Sequence, residues 1–207
     1  TSFLDMPNNS PNTTNRATLE RKIAIASKKS VTHHGFFIGA TNDNISDLQS
    51  VEGMDGVCGI KIFMGSSTGD LLVHEQQQLE EIFANTGGVI ATHAEDEARL
   101  QQRSAEFEHR NDIASHAECR DVECAFLATK RASSLAKDYD HRLHIVHLTS
   151  QKEADWLHKN KGDLITTEVC TQHLTFDQDD VERIGERILM NPPIRYTEDR
   201  DSLWRRL

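Results

Sequence analysis

Short apolar runs alternate with longer amphipathic stretches from one end of the chain to the other. Six runs have the length, β-rich composition and bounding turn residues of buried strands: Thr1–Asp5, Gly35–Ala40, Gly59–Met64, Val89–His93, Leu143–Leu148 and Leu164–Val169. Helical spacing fills the intervals. Leu19, Ile23 and Ala26 mark one stripe, and Leu79, Ile82 and Phe83 another. The longest helix is expected over Glu118–Lys137, where Val122, Ala125, Phe126, Thr129, Ala132 and Ala136 recur on one face. Thr149 and Ser150 are placed to start a further helix at Gln151. A chain that repeats strand-then-helix predicts parallel strands joined by right-handed crossovers. Two α/β architectures satisfy the pattern, a doubly wound open sheet and a partial (β/α)8 barrel. A complete barrel takes eight such units and about 250 residues. With no linker or low-complexity tract in view, residues 1–207 are expected to form a single domain.

One strand breaks the pattern. The run Gly59-Ile60-Lys61-Ile62-Phe63-Met64 carries a cation in an apolar segment, followed by the turn-rich GSSTGD. A buried ammonium without compensation costs several kcal/mol or gives up its proton. Either Lys61 pairs with a carboxylate or snorkels to the strand end, or its neutral amine has a chemical use.

Composition narrows the partners. Hydrophobic residues make up 37% and charged residues 27%, and no apolar run approaches the ~18 residues that a membrane span requires. The formal charge of −10 opposes a nucleic-acid surface, because phosphate binding needs a basic field. Cys58, Cys119, Cys124 and Cys170 show no C-x-x-C spacing, which suits reduced thiols and a cytoplasmic location. The sequence opens inside an apolar segment and closes inside the helix-like SLWRRL, so a fragment is expected.

Both architectures bind ligands at the carboxyl ends of the strands. His93 ends the run VIATH, and His147 lies at the end of LHIVHLTS. His144 and His147 are three apart, so strict alternation sends them to opposite sides; the later one is chosen as the inward residue. Two strand-end histidines beside a strand lysine favour a metal site, since imidazole suits zinc. A neutral lysine amine can take up carbon dioxide and become a carbamate, an anion able to bridge two divalent metals about 3.5–4 Å apart. Burial assists by keeping the amine unprotonated.

Several blocks are then familiar together. FLDMPNNSPNT, FFIGATNDN, GIKIFMGSSTG, IATHAEDE, LHIVHLTS, TEVCTQHLTF and MNPPIR resemble, in order, the corresponding blocks of dihydroorotases in the amidohydrolase superfamily. The resemblance implies a (β/α)8 barrel with two Zn2+ ions per complete site, bridged by carboxylated Lys61. It implies the reversible cyclisation of N-carbamoyl-L-aspartate to dihydroorotate in pyrimidine biosynthesis. Lys61, His93 and His147 match metal ligands of that family, while Asn8 in MPN and Asn191 in MNPP match asparagines that contact the substrate. Some relatives carry aspartate as the bridging ligand, which makes Lys61 the least fixed of these positions. A homodimer is the family's common habit.

Two family features have no counterpart here. No H-x-H metal pair with its following arginine is present; His33-His34 is adjacent rather than spaced. The aspartate that shuttles the proton is expected beyond Leu207, so no catalytic residue is assigned within the chain. The sequence is thus expected to cover strands two to seven of the barrel and to be inactive alone. The neighbouring readings are a hydantoinase or allantoinase, which would share Lys61, His93 and His147, and a non-catalytic homologue used for assembly. Glu95 is placed as support for His93 or as an exposed loop acid, and His173 as lining the site mouth or as structural. His33, His34, His74, His109, His116 and His158 are assigned to solvated surface, and Cys58 and Cys170 to the core.

Overall fold

In the computed structural model, which describes residues 1–65 and 69–207, six parallel strands form one sheet in chain order and curl into a half-barrel with helices on its outer face. Of the turn-rich segment after Lys61, residues 66–68 lie outside the described residues. The strands are β1 (Ser2–Asp5), β2 (His33–Gly39), β3 (Val57–Phe63), β4 (Val89–His93), β5 (Arg142–Ile145) and β6 (Ile165–Thr167). The helices are α1 (Arg16–Lys29), α2 (Ile45–Ser50), α3 (Gln76–Asn85), α4 (Glu97–Phe107), α5 (Ser115–Cys119), α6 (Val122–Asp138), α7 (Gln151–Asn160), α8 (Thr171–Thr175), α9 (Gln178–Ile184) and α10 (Thr197–Arg206).

Alternation along the strands separates two environments. Ile38, Ile60, Ile62, Ile90, Leu143, Ile145 and Ile165 point outward, sharing a buried core with Leu19, Leu79, Phe83, Ala132 and Leu157 from the helices. Phe37, Ala91 and Val146 form a smaller cluster on the opposite, concave face. Register places Lys61 between Gly39 and Ala91, and Phe63 beside His93, on that concave side.

The phase of β3 depends on a bulge. Phe36 pairs with Val57 but Phe37 pairs with Gly59, so Cys58 is the extra residue. Without that insertion the period-two pattern would turn Lys61 onto the helical side. Gly59 completes the device: its φ is 153°, and a Cβ there would stand 2.2 Å from the Val89 carbonyl oxygen.

The helix expected over Glu118–Lys137 is two helices. Asp121 interrupts it with extended backbone and caps α6 by accepting the Cys124 N–H at 3.0 Å. The stretch therefore contains a start signal that the apolar stripe alone conceals. Ala125, Thr129, Ala132 and Ala136 of that stripe are buried, while Val122 and Phe126 remain partly exposed. Ser150 caps α7, beginning at Gln151 as the sequence predicts. No helix among the described residues is long and apolar enough to cross a membrane.

Candidate metal centre

Lys61, His93 and His147 gather at the carboxyl end of the sheet. Lys61 is 2% exposed, and its Nζ lies 3.8 Å from the centroid of the Phe63 ring. That ring stacks at a tilt against His93, with centroids 6.0 Å apart. The amine donates to the Ile62 carbonyl oxygen at 2.9 Å and is not hydrogen-bonded to either imidazole. Burial drives its pKa well below the ordinary lysine value, and the nearby Glu168 charge opposes this without cancelling it.

His93 and His147 meet edge to face, with His93 Nδ1 3.0 Å from His147 Nε2. The other nitrogen of His93, Nε2, lies 2.7 Å from Glu95 Oε2. Glu95 is wholly buried and is also gripped by Arg120 through Nε, at 3.2 Å, and Nη2. Burial alone would raise the Glu95 carboxyl, but the His93 hydrogen bond and charge, with the Arg120 guanidinium, take it down to about 2. An ionised Glu95 accepts the His93 Nε2 proton and fixes the tautomer, leaving a bare lone pair on Nδ1. Burial, reinforced by Lys61 and Arg120, keeps His93 from gaining a second proton despite Glu95. Burial also lowers His147 well below the usual imidazole range, with His93 and Lys61 adding to the effect.

His147 reaches this place by leaving the strand. β5 ends at Ile145, and His147 has φ of 44°, in the left-handed region. The single-inward-histidine expectation is therefore corrected. His144, in register with the concave Ala91, lies on the Lys61 side by alternation, and His147 is returned to that side by its backbone turn. His144 meets Thr166 Oγ1 at 2.8 Å and Glu168 Oε2 at 3.3 Å.

Asn8 and Asn191 are exposed loop residues, after β1 and before α10 respectively. The loop that holds Asn191 is pinned by His173, whose Nε2 lies 3.1 Å from the Pro192 carbonyl oxygen. His173 is buried, its Nδ1 has no hydrogen-bond partner, and it stands near enough to His147 to help lower that imidazole. His33 is exposed, but His116 is tied to the Met190 carbonyl at 3.0 Å rather than loose in solvent. Sequence reasoning assigned no role to Phe63, Arg120 or His144. Arg120 arrives from a position 25 residues beyond Glu95, with no local pattern to announce it.

Among the described residues, no three His, Cys, Asp or Glu side chains surround one cation position. The pair still fits a metal. Two nitrogen ligands of tetrahedral zinc, at about 2.0–2.1 Å from the ion, stand about 3.3 Å apart. That is close to the observed His93–His147 separation, with a lone pair already freed on His93.

No protein-family model matches the chain. An allantoinase from Deinococcus radiodurans is 33% identical over 219 residues, spanning 100% of this chain and 48% of its own length. A dihydroorotase from Methanosarcina acetivorans is 31% identical over 203 residues, spanning 93% and 43%. The structure of an L-hydantoinase (dihydropyrimidinase) from Arthrobacter aurescens superposes with a TM-score of 0.91 at 26% identity, over 98% of this chain and 47% of that one. The chain is a cyclic-amidohydrolase homologue. It spans about half the length of the curated relatives it matches. The hydantoinase likeness also decides between the two architectures, in favour of part of a (β/α)8 barrel.

Proposed function

We propose that this chain forms part of a metal-dependent hydrolase acting on cyclic amides, with His93 and His147 as ligands of a zinc centre and Lys61 as its bridging group. One observation carries the reading: His93 Nδ1 and His147 Nε2 converge to 3.0 Å beside a buried, weakly basic lysine. In the bridging role the Lys61 nitrogen bonds to the carbon of carbon dioxide and releases one proton, which gives the anionic carbamate. When bound, zinc polarises the amide carbonyl and makes water nucleophilic near neutral pH. Glu95 holds the His93 ring with Nδ1 turned to the site, and Arg120 keeps Glu95 ionised. Phe63 walls one side of the Lys61 amine and limits water there. Asn8 and Asn191 are proposed to orient substrate from the loops above.

The substrate assigned first is dihydroorotate, formed reversibly from N-carbamoyl-L-aspartate, because MPN and MNPPIR occur together. Allantoin is the second reading, favoured by the 33% identity to an allantoinase. Assays of the full-length protein with dihydroorotate, allantoin and hydantoin side by side discriminate them. Preferential turnover of dihydroorotate supports the first assignment, and turnover of allantoin alone replaces it. Metal analysis is expected to give about two zinc per site; none, together with no turnover, would return the protein to a non-catalytic assembly role.

A further inference from the structure

His147 has a left-handed backbone, φ 44°, a conformation that L side chains adopt uncommonly, so something must hold it there. Glu168 surrounds the turn. Its N–H donates to the Ile145 carbonyl at 3.2 Å, and its own carbonyl accepts the Leu148 N–H at 2.8 Å, bracketing His147 on both sides. Its carboxylate meets His144 Nε2 at 3.3 Å and lies against the backbone amide of His147. The main-chain pair would form with any residue at this position. The carboxylate contacts would not.

We propose that the Glu168 side chain is a positioning residue for His147, holding the turn that carries its imidazole to His93. This rests on the reading of His147 as a metal ligand only for its consequence in zinc binding; the geometry itself exists without metal. Glu168 approaches from β6 and His93 stands on β4, so the side chain fixes the middle of three adjacent strand ends. Its side chain is about half exposed (49%), which makes substitution compatible with folding.

The test uses the intact protein in metal-free form, with 15N-labelled histidine, comparing wild type, Glu168→Ala and Glu168→Gln. Glutamine retains an oxygen acceptor for the His147 amide. Glu168→Ala is expected to lose the inter-ring contact between His93 and His147 and to bind zinc about tenfold more weakly, with a melting temperature near that of wild type. Glu168→Gln is expected to keep the ring contact and most of the affinity. Retention of the ring contact in Glu168→Ala overturns the proposal. So does a loss of dispersion across all the histidine signals, His33 and His141 included, which would make the residue a general structural support. If wild type shows the ring contact but takes up no zinc, the metal reading fails, and the ring-contact comparison still decides the role of Glu168.

Discussion

Two buried polar regions meet at Arg120, and their bookkeeping of protons and partners differs. Beneath α6 and α7, Glu153 accepts hydrogen bonds from Thr129 Oγ1 and Ser150 Oγ, both at 2.7 Å. Arg195, also buried, reaches Thr149 Oγ1 at 3.3 Å and the Arg120 carbonyl, and its charge faces Glu153. That network joins elements to one another; of its groups, Arg195 Nη2 lacks a partner. The Lys61–His93–His147 cluster instead turns two imidazole nitrogens toward each other, 3.0 Å apart, while Lys61 donates to the Ile62 carbonyl and His93 to Glu95. Buried polar atoms that satisfy one another stabilise the fold. Two imidazoles whose one mutual hydrogen bond can be exchanged for a shared cation are poised for a ligand.

Substitutions should pull the regions apart. Glu153→Ala leaves Arg195 and two hydroxyls uncompensated and is expected to cost about 3 kcal/mol, read from urea denaturation, while zinc affinity stays near wild type. His147→Asn is expected to do the reverse. Asparagine tolerates the left-handed backbone, so stability should hold within about 0.5 kcal/mol, whereas zinc affinity measured by calorimetry should fall at least about 100-fold, the upper reach of losses seen even for outer partners of metal ligands. Lys61→Met gives a mixed signature: zinc uptake lost and stability raised by about 1 kcal/mol, because an apolar chain replaces a buried amine with one carbonyl partner. An equal loss of stability for Lys61→Met and Glu153→Ala would erase the distinction.

The smallest effect lies in pH dependence, measured without metal. Below the ordinary value of 6.5 the unfolded His147 binds a proton that the folded ring refuses, so stability falls as pH drops. Glu153 has the opposite sign. Burial raises its carboxyl above 4.5, despite its Ser150 and Thr129 hydrogen bonds, so the folded state binds more protons and acidification stabilises it. Between pH 6.5 and 4.5, His147→Asn should flatten the loss on acidification and Glu153→Gln should steepen it. Urea midpoints at half-unit steps would check both slopes. Glu95, held near 2, adds a further loss as pH falls from 4.5 toward that value.

Much of this was legible before any coordinates. Parallel strands were implied by the repeated strand-then-helix pattern, and Val89–His93 coincides with β4 residue for residue. Lys61 and His93 were visible because a cation in an apolar run and an imidazole at a strand end violate local expectation. His147 was named for the right end of the strand, but by an alternation rule that its backbone breaks. What stayed hidden is long-range or dihedral in origin. Arg120 reaches Glu95 from another helix connection, the bulge at Cys58 becomes visible in pairing with β2, and the Asp121 cap divides a stripe whose apolar spacing runs on unbroken.

The order of the strands has a temporal consequence. Each of β2 to β6 pairs with the strand that precedes it in sequence, so every addition closes one crossover, of a single α-helix except for the three between β4 and β5, and no distant segment has to be found. During synthesis the sheet can therefore lengthen in the direction of translation, its newest rim always the one awaiting a neighbour. His93, carried on β4, is seated before His147 has been made, and the pocket is assembled from one wall to the next.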